Sequence, residues 1–241
     1  MNMFIPQNEK KRIYMNILII AAHPDDEVLG CGGSMAKWSK NGNEVHILIM
    51  AEGVTSRDKQ RNRRQRIKDL STLAESCDKA RDILSANSIE LLDYPDNRMD
   101  SIDLLDVVKS VEKKIKRLKS DVVVTHHGGD LNIDHRITHQ AVITACRPFP
   151  EQTVKRILSF EVPSSTEWQS ASYMRPFVPN IYEDITETLD LKIEALKAYE
   201  SEMRTWPHAR SLKGVEHLAR LRGASVGYEA AESFMLIREL N

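Results

Sequence analysis

Asn16-Ile17-Leu18-Ile19-Ile20-Ala21, followed at once by Ala22-His23-Pro24-Asp25-Asp26-Glu27, is the stretch that decides the fold. The first six residues are an unbroken apolar run rich in β-branched side chains. Without polar alternation, such a run reads as a strand buried on both faces, as in a parallel sheet covered by helices. The polar residues come at its carboxyl end, ahead of Gly30-Cys31-Gly32-Gly33, which reads as a small-residue turn. In open α/β sheets the carboxyl edge holds the ligand crevice. His23 and Asp26, three residues apart, can turn toward one point, and Asp25 can reach the same space from another angle.

Working outward, residues 34–40 read as a short helix ended by Asn41-Gly42, and 44–51 as a second strand carrying Val45, Ile47, Leu48 and Ile49. Strand, helix and strand at this length imply a right-handed parallel unit. A helical stripe at Leu70, Leu73, Cys77, Ala80 and Leu84 places a helix in about 60–86, and 89–92 is a short strand closed by Tyr94-Pro95-Asp96-Asn97. Asp100 or Ser101 can cap the next helix, whose apolar face is Leu104, Val108, Val111, Ile115 and Leu118. Residues 121–125 are a buried strand that hands His126-His127-Gly128-Gly129 to a loop. The chain then runs through Asp130-Leu131-Asn132-Ile133-Asp134-His135 into a helix to about Cys146. A further strand is expected at 154–162, an irregular excursion at 163–168 and 176–179, and helices at 189–199 and near 215–222 before the apolar Phe234-Met235-Leu236-Ile237. The alternation predicts a doubly wound, mostly parallel α/β sheet with a C-terminal elaboration. No repeat or linker divides it, so a single domain over 16–241 follows an N-terminal extension of 1–15.

The 241 residues can bury a sizeable core, and 41% hydrophobic with 29% charged residues is an ordinary globular composition. A formal net charge of -1 gives no global pull toward nucleic acid or an anionic membrane. The three cysteines, Cys31, Cys77 and Cys146, are too far apart and odd in number for a disulfide framework or a thiolate zinc knuckle. No signal-peptide pattern opens the sequence and no apolar run reaches membrane-spanning length, so a cytoplasmic protein is expected; a homo-oligomer stays open.

His23, Asp25, Asp26 and His135 form one constellation. Two imidazoles and one carboxylate, with a position left for water, are the donor set of a catalytic zinc site, and the remaining carboxylate can take a proton from the activated water. Alternatively Asp25 and Asp26 cap the following helix and His23 is a polar loop residue. The second strand-end cluster favours the metal site, because groups that follow two parallel strands converge on one sheet edge.

These residues resemble the LmbE-like (PIG-L) zinc-dependent N-deacetylases, which include N-acetylglucosaminyl-phosphatidylinositol de-N-acetylases and the sugar deacetylases of the mycothiol and bacillithiol pathways. The resemblance rests on Ala22-His23-Pro24-Asp25-Asp26-Glu27 and Asp134-His135-Arg136, with weaker similarity at Tyr94-Pro95-Asp96-Asn97, Leu196-Lys197-Ala198-Tyr199-Glu200-Ser201 and Ala231-Glu232-Ser233-Phe234. It implies a Rossmann-like sheet, one zinc ion on His23, Asp26 and His135, and Asp25 as general base, later returning its proton to the departing amine. Many relatives carry an oxyanion-stabilising histidine three residues before the second metal histidine, where this chain has Asn132; either Asn132 serves, or His126 or His127 substitutes. Asp134 fits a role orienting a catalytic histidine or supporting the metal site.

Many relatives also place a substrate-contacting arginine after the second strand. Arg57 lies nearest here, ahead of the basic run Lys59-Gln60-Arg61-Asn62-Arg63-Arg64-Gln65-Arg66, which is either a phosphate contact or a solvated helix start. Ser165 and Trp168 suit the hydroxyl rim and ring face of a sugar, or else form a polar turn over a buried Trp. His208 and Arg210 resemble a segment of relatives in surface-polysaccharide biosynthesis. The expected activity is hydrolysis of the N-acetyl group of an amino sugar, nucleotide- or carrier-linked in surface-glycan assembly, with a thiol-sugar conjugate as the alternative. A nucleotide-sugar- or dinucleotide-binding protein without hydrolysis fits less well, since Gly30-Cys31-Gly32-Gly33 is no Gly-x-Gly-x-x-Gly fingerprint.

Overall fold

Residues 14–170, 172 and 174–241 are described by a computed structural model; most of the expected N-terminal extension, 1–13, lies outside them. The strands are β1 (Asn16–Ala21), β2 (Glu44–Ala51), β3 (Ser88–Tyr94), β4 (Val122–His126), β5 (Arg156–Phe160), β6 (Ile181–Asp184) and β7 (Ala231–Glu239). They form one sheet in the order β3-β2-β1-β4-β5-β7-β6. β1 to β5 run parallel, and β7 is antiparallel to both β5 and β6.

Each central strand buries both faces, which is why its sequence is continuously apolar. Ile17, Ile19 and Ala21 pack under α1 (Asp26–Lys40), α2 (Ile67–Ile83), α5 (Leu189–Lys197) and α6 (Leu212–Ala224). Leu18 and Ile20 face α3 (Leu104–Leu118) and α4 (Ile133–Ala145) on the opposite side. The mostly parallel, helix-covered sheet matches the sequence expectation.

Three local features differ from it. Gly30-Cys31-Gly32-Gly33 is no turn but a break inside α1, where Cys31 leaves helical geometry at φ -150° and ψ 26°. The glycines there serve close approach, since a Cβ at Gly30 would lie 2.3 Å from the Phe160 ring. The helix expected from residue 60 begins at Ile67, because the basic run before it is held in loop ion pairs. β6, short, half-buried and half acidic, carries no strand signal in the sequence.

Between β1 and its neighbours β2 and β4 the connections depart in opposite directions, which opens a crevice beyond their carboxyl ends. The loops after β1 and β4 meet there.

Candidate metal and catalytic site

Asp25 ends the loop after β1 with φ at 104°, a left-handed backbone that a residue with a Cβ adopts only under constraint. The constraint is visible. Its N–H donates to Glu27 Oε2 at 3.0 Å, and Glu27 Oε1 accepts the Tyr199 hydroxyl at 2.6 Å. Its carbonyl accepts the N–H groups of Val28 and Leu29 as α1 begins. The Asp25 side chain makes no capping bond to the helix, which sets the capping alternative aside. Instead its Oδ2 accepts from Arg210 Nη1 at 3.2 Å. Burial pushes the Asp25 carboxyl well above the usual carboxylate range, and Arg210 offsets this only in part.

Asp26 Oδ2 lies 3.1 Å from His23 Nδ1 and 3.1 Å from His135 Nε2. Donor atoms of these three residues all fall within 4.8 Å of one another. Each imidazole also has a carboxylate behind it. His23 Nε2 is 3.0 Å from Asp134 Oδ2, and His135 Nδ1 is 3.0 Å from Asp130 Oδ1. A carboxylate on the far nitrogen fixes the tautomer so that the near nitrogen offers its lone pair, the arrangement metal-binding histidines use. Burial alone would lower the His135 pKa, yet Asp26 and Asp130 raise it to about 9; His23 is likewise raised against burial by Asp134 and Asp26. A carboxylate-rich cage that holds protons so firmly is one that favours a cation. Both the donor set and the tautomers fit a divalent metal such as zinc.

His23, Asp96 and Asp134 form a second convergent group. Its carboxylates are already engaged, Asp134 by the N–H groups of Asn97 at 2.7 Å and Met99 at 3.0 Å, Asp96 by that of Ser56 at 3.0 Å. It ties the loops after β2 and β3 to α4.

A cleft lies over these residues, and Asn132, Arg57, Glu202 and Arg210 complete its walls. Several expected site residues stand elsewhere. His127 turns away, its Nε2 2.9 Å from the Arg175 carbonyl and its ring edge-on to Phe177. His126 is buried behind the cage, stacked on His135 at 3.9 Å, with Nε2 accepting the Ala22 N–H at 2.7 Å; burial holds its pKa well below the ordinary value. Ser165 is buried and donates to Asp130, as Thr166 does at 2.5 Å. Its hydroxyl therefore supports the carboxylate behind His135, and the sugar-rim placement does not hold. Trp168 is half exposed, edge-on to the His208 ring at 5.5 Å, and His208 Nδ1 accepts the Arg210 N–H at 3.0 Å. Neither ring lines the cleft.

Arg57 does line it, paired with Glu202 at 2.7 Å. Three arginines of the basic run are paired: Arg61 and Arg63 with Glu52, Arg63 also with Asp93, and Arg66 with Asp58 and Asp69. A phosphate contact by these side chains would have to break those pairs. Sequence reading missed Asp130, Glu202 and the Glu27–Tyr199 pair. The signal for Asp130 was its place in the second strand-end cluster; Glu202 and Tyr199 come from the turn after α5, where the weaker family resemblance reaches Tyr199 but gives it no role.

The family model for GlcNAc-PI de-N-acetylase, PIG-L, matches residues 18–146. The uncharacterized deacetylase YaiS of Escherichia coli (strain K12) is 32% identical over 191 residues, 77% of this chain and 90% of that protein. Among solved structures, the N,N'-diacetylchitobiose deacetylase from Pyrococcus horikoshii superposes with a TM-score of 0.73 at 20% identity, covering 93% of this chain and 84% of that one. GalB, the 4-carboxy-2-hydroxymuconate hydratase of Pseudomonas putida KT2440, does so with 0.74 at 20% identity, covering 94% and 98%. The two structures share the fold. With the family model spanning more than half of its residues and a relative above 30% identity along most of its length, the chain belongs to the PIG-L (LmbE-like) family of de-N-acetylases.

Proposed function

We propose that the protein is a zinc-dependent hydrolase that removes the N-acetyl group from an N-acetylated amino sugar, releasing acetate and a free amine. One observation carries this reading: donor atoms of His23, Asp26 and His135 converge within 4.8 Å, with Asp25 on the wall of the same cleft. The fold alone would not assign the reaction, since a hydratase shares it.

His23, Asp26 and His135 would hold the ion, whose chemistry is to acidify water and polarise the acetyl carbonyl. Asp130 and Asp134 keep the two imidazoles in the required tautomers. Asp25 takes the proton of the attacking water and delivers it to the departing nitrogen, a task suited to a carboxylate whose basicity burial has raised. The strained Asp25 backbone, held by Glu27, aims that carboxylate into the cleft rather than at the helix end. Arg57 on the cleft wall supports a substrate bearing a phosphate-linked carrier or nucleotide, a contact for which Glu202 stands in at rest.

The test is acetate release from a panel of N-acetyl sugars, free, nucleotide-linked and thiol-conjugated, by zinc-loaded protein. Turnover of a linked sugar with little on the others is expected. Preference for the thiol conjugates would move the assignment to that pathway class, and no release from any would end the deacetylase reading.

A further inference from the structure

Amide cleavage needs a group that meets the negative charge gathering on the carbonyl oxygen, and of the expected donors only Asn132 keeps an N–H for it, a single uncharged one. Asn132 caps α4, its Oδ1 accepting the Asp134 N–H at 2.8 Å, while its Nδ2 donates to Asn97 Oδ1 at 2.8 Å. His126 is a buried acceptor and His127 lies outside the cleft. Arg57 also keeps free N–H groups after its bond to Glu202, yet its side chain is the more exposed, 44% against 24% for Arg210, and it is not bonded to Asp25.

Arg210 differs from all of these. It lies just before α6, held by its own N–H on His208 Nδ1 at 3.0 Å and by its carbonyl, which accepts the Arg204 N–H at 3.2 Å. Its side chain donates from Nε to Ser164 Oγ at 3.1 Å and from Nη1 to Asp25 Oδ2 at 3.2 Å. A guanidinium has five N–H donors. Two are used, so three have no partner among the described residues, on a side chain that lines the cleft beside the proposed base.

We propose that Arg210 is a catalytic residue: its free N–H groups bind the acetyl oxygen as it becomes an oxyanion, the work a histidine would do at position 132. The inference rests on the deacetylase reading. In the step it serves, the water oxygen bonds to the acetyl carbon, the C=O π pair moves onto the carbonyl oxygen, and the water proton passes to Asp25. The pair then returns, the C–N bond breaks, and Asp25 gives the proton to the leaving nitrogen, leaving the amine and acetic acid, whose remaining water proton passes to the amine or to solvent as it becomes acetate. A guanidinium stays charged throughout and, half-buried and held by Ser164 and Asp25, stabilises the developing charge.

The test compares zinc-loaded wild type with Arg210→Ala, Arg210→Lys and Asn132→Ala on a sugar that the wild type turns over. It adds binding of the product amine and of the tetrahedral N-methylphosphonamidate of the same sugar. Arg210→Ala should lose about 100- to 1,000-fold in kcat with KM changed only a few-fold. It should lose a similar factor for the tetrahedral analogue and none for the amine, and added guanidinium ion should restore part of the rate. Arg210→Lys should fall between, and Asn132→Ala should lose less kcat than Arg210→Ala. An effect confined to KM, an equal loss of amine binding, an unchanged kcat or a larger kcat loss in Asn132→Ala would overturn the assignment. A wild type that neither releases acetate nor binds the analogue would instead overturn the deacetylase reading, and this inference with it.

Discussion

Asp25 shows at the scale of one residue how function is set against stability. Its φ of 104° is costly for a side chain with a Cβ, and its carboxyl is buried, with Arg210 the charged group that pairs with it. Asp25→Asn should therefore keep zinc, because the three ligands are untouched, yet lose about 100- to 10,000-fold in turnover, the usual worth of a positioned acid–base group. Metal content and kcat measured on the same preparation check both halves. Asp25→Gly should unfold at higher urea, stabilised by about 1–3 kcal/mol through relief of backbone strain and removal of a buried carboxylate. A lower midpoint would mean that Asp25 is held without strain. That His23, Asp25 and Asp26 reach one cleft was legible in His23-Pro24-Asp25-Asp26 from residue types and spacing. The strain was not, because it comes from Glu27 and Tyr199, the latter on a segment 172 residues away from Glu27.

At the scale of elements, α1 is the part that sequence pattern described least well. The break at Cys31 exposes helix-end groups inside the core, and one buried pair satisfies them. Glu232 from β7 accepts the N–H groups of Gly33 at 3.0 Å and Ser34 at 2.6 Å, while Lys192 from α5 donates to the Leu29 carbonyl at 2.8 Å and to Glu232 at 2.6 Å. Gly30, just before the break, allows the Phe160 ring to seat against the helix. A glycine-rich tetrapeptide signals a turn when only its neighbours are read; the lysine and the carboxylate that keep it helical arrive from positions 192 and 232. Lys192→Met should cost about 3–5 kcal/mol, because it leaves Glu232 buried without its cation. Chemical denaturation reads this directly, and a cost below about 1 kcal/mol would mean the pair does not hold the break. Gly30→Ala should also destabilise, by about 1–3 kcal/mol through overpacking against Phe160.

For the whole molecule, the parallel core was legible because fully buried strands leave continuous apolar runs at β1, β2 and β4. The antiparallel edge was not, because β7 buries Glu232 and Ser233 in its first half while its apolar run, Phe234-Met235-Leu236-Ile237, passes into half-exposed positions, and β6 is a four-residue half-buried strand whose sequence carries two acids. Among the described residues no helix is long and apolar enough to cross a membrane. The three free cysteines are buried, and burial raises the Cys146 thiol to about 12, with Cys31 and Cys77 also pushed upward. At pH 8 they should react with a thiol reagent only as fast as the protein unfolds, and all three at once in denaturant. Rapid labelling of any of them in the native state would contradict the packing described. The sheet order places the loops after β1 and β4 side by side, so that His23 and Asp26 meet His135. The measurement that reaches this site most directly is acetate release by protein stripped of metal with a chelator, assayed before and after a stoichiometric amount of zinc is returned. Wild type should be inactive when stripped and active when reloaded, whereas His135→Ala should bind zinc at least about 100-fold more weakly and stay inactive. Full activity in the stripped protein, or in His135→Ala, would contradict the account.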